Sequence, residues 1–130
     1  MSVILNDHGA CIGRVGLRGL DWKWRKVESL SYWIDPKYWN RGYATEASWF
    51  LCREAFQHLG MRRISSSALD KNEMSLAVLR RLGFVEEGRE RRSVYVRNAC
   101  MDMVLFGVLK EEFPAWEAVA SSNVTSPSSS

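Results

Sequence analysis

Apolar and polar residues alternate along the first third of the chain, and this spacing of two is typical of β-strands. Short strands are predicted at residues 3–5 and 10–17. The polar residues and glycine between them form a turn signal, so the two strands should pair as a hairpin. A third strand is predicted at residues 30–34, because Asp35 and Pro36 then interrupt the extended chain.

The apolar spacing changes to that of a helix in the middle of the chain. Residues 44–59 carry one apolar stripe at positions i, i+3, i+4 and i+7, made of Cys52, Ala55, Phe56 and Leu59. Gly60 supplies the stop for this helix. A second helix is predicted to begin after Asn72, a favourable N-cap residue, and to end at Gly83.

Three further strands complete the predicted order of elements. They lie at residues 63–69, 93–96 and 101–106, so the order is β-β-β-α-β-α-β-β. Residues 117–130 are rich in serine and are expected to form a flexible tail. This leaves residues 1–116 as one domain.

Composition and charge exclude several classes of protein. A chain of 130 residues suits one domain, and a hydrophobic share of 46% is enough to form a core. The net charge of +3 is too small to indicate nucleic-acid binding. The absence of a Cys-x-x-Cys pair argues against zinc and for reduced, mostly buried thiols at Cys11, Cys52 and Cys100. The apolar stretches are too short for a membrane span and the start is unlike a signal peptide, so a cytoplasmic or nuclear protein is expected.

The segment between the third strand and the first helix carries the candidate chemistry. Its Arg41-Gly42-Tyr43-Ala44 run lies where the helix begins, and the first amides of a helix have no partner within it. These amides and the positive end of the helix dipole form an anion site, which Gly42 and Ala44 leave open to a phosphate. Arg41 adds a positive charge. By spacing alone, a helix start that binds nothing explains the run equally well.

Three ordered motifs resemble those of one enzyme family. Residues 32–47 read Tyr-Trp-Ile-Asp-Pro-Lys-Tyr-Trp-Asn-Arg-Gly-Tyr-Ala-Thr-Glu-Ala and resemble the coenzyme A-binding motif of the GCN5-related N-acetyltransferases. Residues 72–75 and 79–84 are similar to the Asn-x-x-Ser and Leu-Gly-Phe signature of the branch that acetylates the N-termini of ribosomal proteins, and residues 102–106 resemble the family's closing strand. The resemblance, over residues 12–113, implies an α/β fold with a mixed, mostly antiparallel twisted sheet of about six strands and two main helices.

The resemblance also implies acetyl-CoA as cosubstrate and gives roles to individual residues. Backbone amides of residues 41–45 would bind the pyrophosphate. The strand that ends at Trp33 and Ile34 would pair with the pantetheine arm and polarise the acetyl carbonyl through a backbone N–H. Asn72 would hydrogen-bond the amide arm, and Ser75 would donate a proton to the leaving thiolate; a metal is not implied. The implied cofactor-binding residues are Trp33, Ile34, Trp39, Asn40, Arg41, Gly42, Tyr43, Ala44, Thr45, Asn72 and Ser75.

One departure from the family pattern concerns the general base. The branch has a glutamate three residues before the tyrosine of its central strand, and this chain has Ser29 there. Glu28 is the candidate base, but a shift of one residue turns a strand side chain to the opposite face unless a bulge intervenes. A solvent-facing Glu28 without a catalytic role is the simpler interpretation. Asp35 is an alternative base, although its place before Pro36 is already explained by the end of the strand.

A second departure concerns the start of the chain. Family members begin with a strand and two helices that wall the acceptor site, whereas this sequence begins at the hairpin. The expectation is that the chain is either a fragment or mis-start, or a shortened form of the family core. We therefore expect an open sheet edge and an open apolar face. A second copy of the chain or a partner chain would cover them.

Three functions remain open at this point. The first is an N-acetyltransferase that transfers an acetyl group directly to a primary amine, either a peptide N-terminus or a small amine. The second is an acyl-CoA-binding protein without catalysis, and the third is an interaction module. The expected partners are acetyl-CoA and an amine acceptor, without nucleic acid or membrane.

Overall fold

Six strands, three helices and two short 3₁₀ turns make up the part of the chain that the structure describes. The structure is a computed structural model and describes residues 1–39 and 41–125, with side chains through residue 120. The strands and helices are β1 (Ser2–Asp7), β2 (Ala10–Asp21), β3 (Lys26–Ile34), α1 (Tyr43–Gln57), β4 (Arg63–Leu69), α2 (Glu73–Arg81), β5 (Val85–Val96), β6 (Ala99–Leu109) and α3 (Trp116–Thr125). The predicted order of elements is confirmed, and α3 is an addition to it.

The strands form one mixed sheet in the order β1-β2-β3-β4-β6-β5. Every neighbouring pair is antiparallel except β3 and β4. These two run parallel because α1 carries the chain back along the sheet between them. The predicted α/β class with a mostly antiparallel six-stranded sheet is confirmed.

The hydrophobic core lies between the three helices and one face of the sheet. Fully buried strand residues in this core include Val15, Val27, Ile64, Val104 and Val108. The predicted stripe of α1 contributes buried side chains at Cys52, Ala55 and Phe56. Leu59 lies beyond the end of the helix and is half-buried.

The opposite face of the sheet, which we call the open face, is mostly exposed or half-buried. Its side chains alternate along each strand with those of the core. Near the centre of the sheet its exposed members are Arg14, Arg18, Ser31, Trp33 and Ser67. The open face also carries exposed apolar side chains: Trp33 is 56% exposed, Ile4, which pairs with Arg14, is 58% exposed, and Leu109, which pairs with Arg63, is 42% exposed. The face is therefore mixed, with polar residues at its centre and only part of the apolar character that the sequence led us to expect.

β3 contains an irregular step at Glu28 and Ser29. Val27 and Leu30 lie three residues apart and both are buried in the core, and the pairing with β4 shifts register between them. The two residues between them both turn away from the core, and Glu28 is exposed. A Cβ built on Gly19 of β2 would lie 2.5 Å from the Glu28 Cβ, so these two positions are in contact. This irregular step is the bulge that lets Glu28 point to the same face as Ser29. The role of Glu28 as a base stays a prediction.

The C-terminal part of the chain differs from the predicted division into domain and tail. α3 runs from Trp116 to Thr125, where a flexible tail was predicted from residue 117 onward. Val119 is 1% exposed, and the ring of Trp116 lies 5.5 Å from that of Trp49 between centroids. These contacts order residues that composition alone assigns to the tail. Residues 126–130 of the predicted tail lie outside the described residues.

The three thiols are less buried than composition suggested. Cys52 is buried, and burial raises the pKa of its thiol. Cys11 and Cys100 are exposed, so the expectation of mostly buried thiols is wrong. Both lie at the ends of strands, where side chains reach solvent. Within the part of the chain that is described, none of the helices is long and apolar enough to cross a membrane.

Candidate active site

The parallel strands β3 and β4 separate partway along their length and form a fork. Their pairing runs from Lys26 and Arg63 to Leu30 and Ser66, where the Ser66 hydroxyl donates to the Leu30 carbonyl oxygen over 2.7 Å. Beyond this point β3 continues along β2, and β4 continues along β6. The fork exposes main-chain groups that a regular sheet would pair.

Tyr32 and Ile34 turn their main-chain groups toward the fork. The Asp35 N–H donates to a β2 carbonyl oxygen over 2.8 Å, and successive residues of a strand direct N–H and C=O to alternate sides. Trp33 therefore faces β2, and its two neighbours face the fork. The Ile34 carbonyl oxygen accepts the indole N–H of Trp39 over 2.8 Å. Of the two residues predicted to polarise an acetyl carbonyl, Ile34 is the one whose N–H is directed into the fork.

The junction between β3 and α1 ends in an open helix start. Gly42 is the N-cap residue of α1, and none of the described side chains caps this end. The N–H of Glu46 makes the first helical hydrogen bond, to the Gly42 carbonyl oxygen over 2.9 Å. The N–H groups of residues 42–45 thus find no partner in the described part of the chain.

Gly42 has a backbone conformation that favours glycine. Its φ of 79° and ψ of 2° lie in the left-handed region, which costs another L-residue about 1–2 kcal/mol. Ala44 and Thr45 follow in the first turn with buried side chains, so their N–H groups can be approached closely. The dipole of the 15-residue helix adds positive potential at this end. These are the features of an anion site.

The side chain of Arg41 lies beside the helix start. Its guanidinium carbon is 5.2 Å from the ring centroid of Tyr38. The Tyr38 hydroxyl donates to Asp7 of β1 over 3.0 Å, and this hydrogen bond raises the pKa of Tyr38. The ring centroid of Tyr38 also lies 6.0 Å from the ring centroid of Tyr43. Arg41 is therefore held against an aromatic pair, where it adds a second source of positive charge to the junction.

The first turn of α2 lies across the fork from β3. Asn72 caps this helix as predicted, because its side-chain oxygen accepts the Ser75 N–H over 3.2 Å. The NH₂ of Asn72 stays free to donate the contact that the resemblance implies. The Ser75 side chain lines the fork groove and lies within hydrogen-bond reach of the Tyr32 side chain.

The cap predicts how two substitutions at Asn72 should differ. Asn72→Ala should lower the free energy of unfolding by about 1 kcal/mol, because the Ser75 N–H loses its acceptor. Asn72→Asp keeps an acceptor oxygen and should keep the stability, while it loses the NH₂ and weakens acetyl-CoA binding. Urea unfolding and acetyl-CoA titration measure the two effects. An aspartate variant as unstable as the alanine variant would contradict the role of Asn72 as the cap.

Tyr32 joins the fork to α2. Its hydroxyl donates to the Ser75 carbonyl oxygen over 3.1 Å. Burial raises the pKa of Tyr32 to about 12, and a hydrogen bond with the Ser75 side chain opposes this shift only in part. A neutral hydroxyl with one main-chain partner fixes the separation between β3 and the start of α2.

Tyr32→Phe should make stability less sensitive to strongly alkaline pH. The unfolded chain loses the phenolic proton near pH 10 and the folded chain only near pH 12. The contribution of Tyr32 is therefore complete below pH 10 and is lost as the pH rises from 10 to 12, by at most about 3 kcal/mol. Urea unfolding at a series of alkaline pH values checks this. Equal pH dependence in both proteins would mean that Tyr32 is not buried as described.

Two adjoining cavities lie between β3, α1 and α2. A groove of about 740 Å³, which we call the fork groove, is lined by residues that include Trp33, Ile34, Trp39, Asn72 and Ser75. A cavity of about 50 Å³ lies between the start of α1 and α2, with Gly42, Tyr43, Ala44 and Thr45 in its lining. Ile34, Trp39, Met74 and Ala77 line both. The cavities are therefore continuous.

Most of the residues predicted for the site come together around these cavities, with three exceptions. Arg41 lies outside both linings and packs on Tyr38. Glu28 also lies outside both linings, exposed on the open face beside Gly19, so the structure does not bring it together with Ser75. Asn40 lies outside the described residues. The cofactor and catalytic roles of the remaining residues stay predictions.

Sequence reasoning missed two residues of the site. Tyr32 was included only as part of a strand, although its hydroxyl contacts α2. Arg81 in the last turn of α2 lines the small cavity at the start of α1. The signal for Arg81 was available, because the lining residues of α2 recur at i, i+3, i+4 and i+7, as Met74, Ala77, Val78 and Arg81.

The part of the chain that contains the fork, the open helix start and α2 matches the model of one known family. Residues 1–85 match the family model described as the acetyltransferase (GNAT) domain. This match extends from β1 through α2 and so includes the whole candidate site. The chain belongs to the GNAT family of acetyltransferases.

The chain is also similar to individual acetyltransferases. "Putative ribosomal N-acetyltransferase YdaF" of Bacillus subtilis (strain 168) is 38% identical over 114 residues, which cover 88% of this chain and 60% of YdaF. The solved structure of a "Probable acetyltransferase" is 37% identical with a TM-score of 0.75, over 82% of this chain and 58% of its own. Ribosomal-protein-S5-alanine acetyltransferase from Vibrio fischeri has a TM-score of 0.73 at 24% identity, over 82% and 58%, and shows the fold alone. The chain thus spans about 60% of the length of the curated relative YdaF.

Proposed function

We propose that this chain is an acetyl-CoA-dependent N-acetyltransferase that transfers the acetyl group directly to a primary amine. The observation that carries the proposal is the row of unpaired N–H groups at residues 42–45, which adjoins the fork. Family membership supports the use of acetyl-CoA. The similarity to YdaF, named a putative ribosomal N-acetyltransferase, favours a peptide N-terminus as acceptor, with a small amine as the alternative.

The donor groups of the site suit the parts of acetyl-CoA. The N–H groups of residues 42–45, with Arg41 beside them, would bind the diphosphate. The main-chain groups of Tyr32 and Ile34 in the fork would pair with the amides of the pantetheine arm. The free NH₂ of Asn72 would add one more donor along the arm.

The transfer itself would use three groups of this chain. The Ile34 N–H would donate to the acetyl oxygen, which gains negative charge while the amine nitrogen attacks the carbonyl carbon. As the C–N bond forms and the C–S bond breaks, the Ser75 hydroxyl would give its proton to the leaving thiolate. The proton released by the amine would pass to ordered water or to Glu28 and return through solvent to Ser75, so that the hydroxyl is restored. Acetyl-CoA supplies the activated acyl group and leaves as free coenzyme A.

The acceptor is proposed to approach from the open face. A second groove of about 530 Å³, which we call the acceptor groove, is lined there by Arg14, Gly16, Arg18, Ser31 and Trp33 among others. Tyr32 and Trp33 line both this groove and the fork groove. The two grooves therefore meet at the end of β3, where an amine could reach a thioester held in the fork.

A cofactor-binding protein without catalysis is the second candidate. The position of Glu28 favours it, because this exposed carboxylate contacts Gly19 and does not line the fork groove. Under either proposal, a second copy or a partner chain would cover the edge strand β1. The residues of the acceptor groove would then border that interface.

Two measurements test the proposed function. A rise in melting temperature with acetyl-CoA is expected, because a ligand that binds the folded state stabilises it. Release of free thiol in the presence of a panel of amines and peptides is expected for an active enzyme. A rise in melting temperature without thiol release from any acceptor would select the inactive alternative. A melting temperature that acetyl-CoA leaves unchanged would overturn both.

A further inference from the structure

We propose that the acceptor carries carboxylates close to its reacting amine, as an acidic peptide N-terminus does. This inference rests on the proposed function and specifies the class of acceptor. It is carried by two arginines, Arg14 and Arg18, which lie on the same face of β2 and line the acceptor groove. Both are exposed. Four residues of extended chain separate them, a distance of about 13 Å.

These two arginines differ from Arg63 and Arg89 of the same sheet in having no carboxylate partner among the described residues. Arg63 of β4 donates through both terminal nitrogens to the Glu87 carboxylate, and Arg89 of β5 donates to Asp102 over 3.1 Å. Arg14 and Arg18 make no such contact within the described chain. Their guanidinium groups are therefore free to bind carboxylates of another molecule, each in a two-bond arrangement.

The floor of the acceptor groove suits an extended peptide. Arg14 lies directly opposite Trp33, at the end where the groove meets the fork. Gly16 and Ser31 are the next pair on this face, and their small size leaves a trough toward Arg18. A peptide whose amine enters at Trp33 would extend over this trough. The separation of the arginines corresponds to about four residues of such a peptide, so both can be reached at once.

The other charges of the open face leave it positive. Glu28, exposed beside Gly19, and Asp21, which pairs with Lys26, are the carboxylates at the Arg18 end among the described residues of β2 and β3 on this face. Lys26 is exposed and offsets one of them. The Arg63–Glu87 pair is neutral as a unit. Arg14, Arg18 and Lys26 thus leave this part of the face with a net positive charge, and a polycationic acceptor would be repelled.

Equilibrium binding of two matched peptides tests the inference without requiring turnover. Both peptides begin with alanine and carry a C-terminal fluorophore; four glutamates follow the alanine in one and four lysines in the other. Fluorescence anisotropy with coenzyme A-saturated protein gives both affinities. We expect the acidic peptide to bind roughly tenfold more tightly, and this preference to weaken with added salt.

The matched variants are two double charge reversals. The variant with Arg14→Glu and Arg18→Glu should lose or invert the preference for the acidic peptide. The control variant, with Lys23→Glu and Arg62→Glu, makes the same change in net charge at exposed positions just before the first residues of β3 and β4. It should keep the preference for the acidic peptide. Equal affinities, tighter binding of the lysine peptide, binding of neither peptide, or an unaltered preference in the first variant would overturn the inference. The acetyl-CoA melting shift of the same samples reports separately on the proposed function. A native rise in melting temperature with acetyl-CoA, together with no preference for the acidic peptide, would reject the acidic acceptor and leave the proposed function standing.

Discussion

Gly42→Glu is expected to abolish the rise in melting temperature that acetyl-CoA gives the native chain. At a ligand concentration of about 100 times Kd the native protein should gain about 2.7 kcal/mol, roughly 10 °C for a domain of this size. The substitution acts in two ways. A carboxylate would lie where the diphosphate is bound, and an L side chain at a φ of 79° would displace the first amides of α1. Thermal denaturation with and without acetyl-CoA measures the loss.

Gly9→Glu is the control for backbone strain. Gly9 has a φ of 83° in the turn between β1 and β2, and a Cβ placed there meets no atom within 4 Å. The substitution introduces the same residue in the same region of backbone space, away from the cavities of the site. It should lower the melting temperature while acetyl-CoA still raises it. If Gly42→Glu kept the native shift, the cofactor would have to bind elsewhere.

Ser75→Ala should lower kcat by roughly 100-fold or more, because a positioned proton donor contributes about that factor to a transfer reaction. Its effect on structure should be small. The main-chain N–H of residue 75 donates to the Asn72 side chain and its carbonyl oxygen accepts the Tyr32 hydroxyl, and alanine keeps both contacts. Melting temperature and KM for acetyl-CoA should therefore stay near their native values. Steady-state thiol-release kinetics provide kcat and KM separately.

A serine elsewhere in the sheet provides the control for this variant. The Ser93 hydroxyl of β5 donates to Glu90 over 3.2 Å, and neither residue lines the fork groove. Ser93→Ala should leave kcat unchanged. A Ser75→Ala enzyme with native kcat would show that water, and not this hydroxyl, protonates the leaving thiolate.

Local signals in the sequence were enough to place the two ends of the site. The Asp35–Pro36 stop and Gly42 located the junction, because strand ends and helix starts depend on neighbouring residues. Asn72 and Gly83 bracketed α2 for the same reason. β4 was predicted at residues 63–69 and is observed at Arg63–Leu69.

Features that depend on distant parts of the chain could not be predicted in this way. The fork arises where β3 follows β2 and β4 follows β6, which is a property of pairing across the sheet. Tyr32 and Ser75 lie 43 residues apart, so their hydrogen bond has no local pattern. α3 is ordered by contacts of Trp116 and Val119 with the core, and serine content in its second half concealed it.

Broken alternation explains the strands that were predicted too short. β3 begins at Lys26 rather than residue 30, because the step at Glu28 interrupts the spacing of two. β5 runs over Val85–Val96 although only residues 93–96 were predicted as strand. Its register shifts between Glu90 and Val94, which again interrupts the pattern. A method that requires regular alternation ends a strand at each bulge.

Amide chemical shifts recorded during an acetyl-CoA titration test the account most directly. Signals of residues 42–45 should move at ligand concentrations that also raise the melting temperature, since their N–H groups would acquire phosphate oxygens as acceptors. Adenosine, which has no diphosphate, should leave them in place. Signals of residues 42–45 that stay unperturbed at saturation, while others in the protein move, would contradict the assignment of this helix start as the diphosphate site.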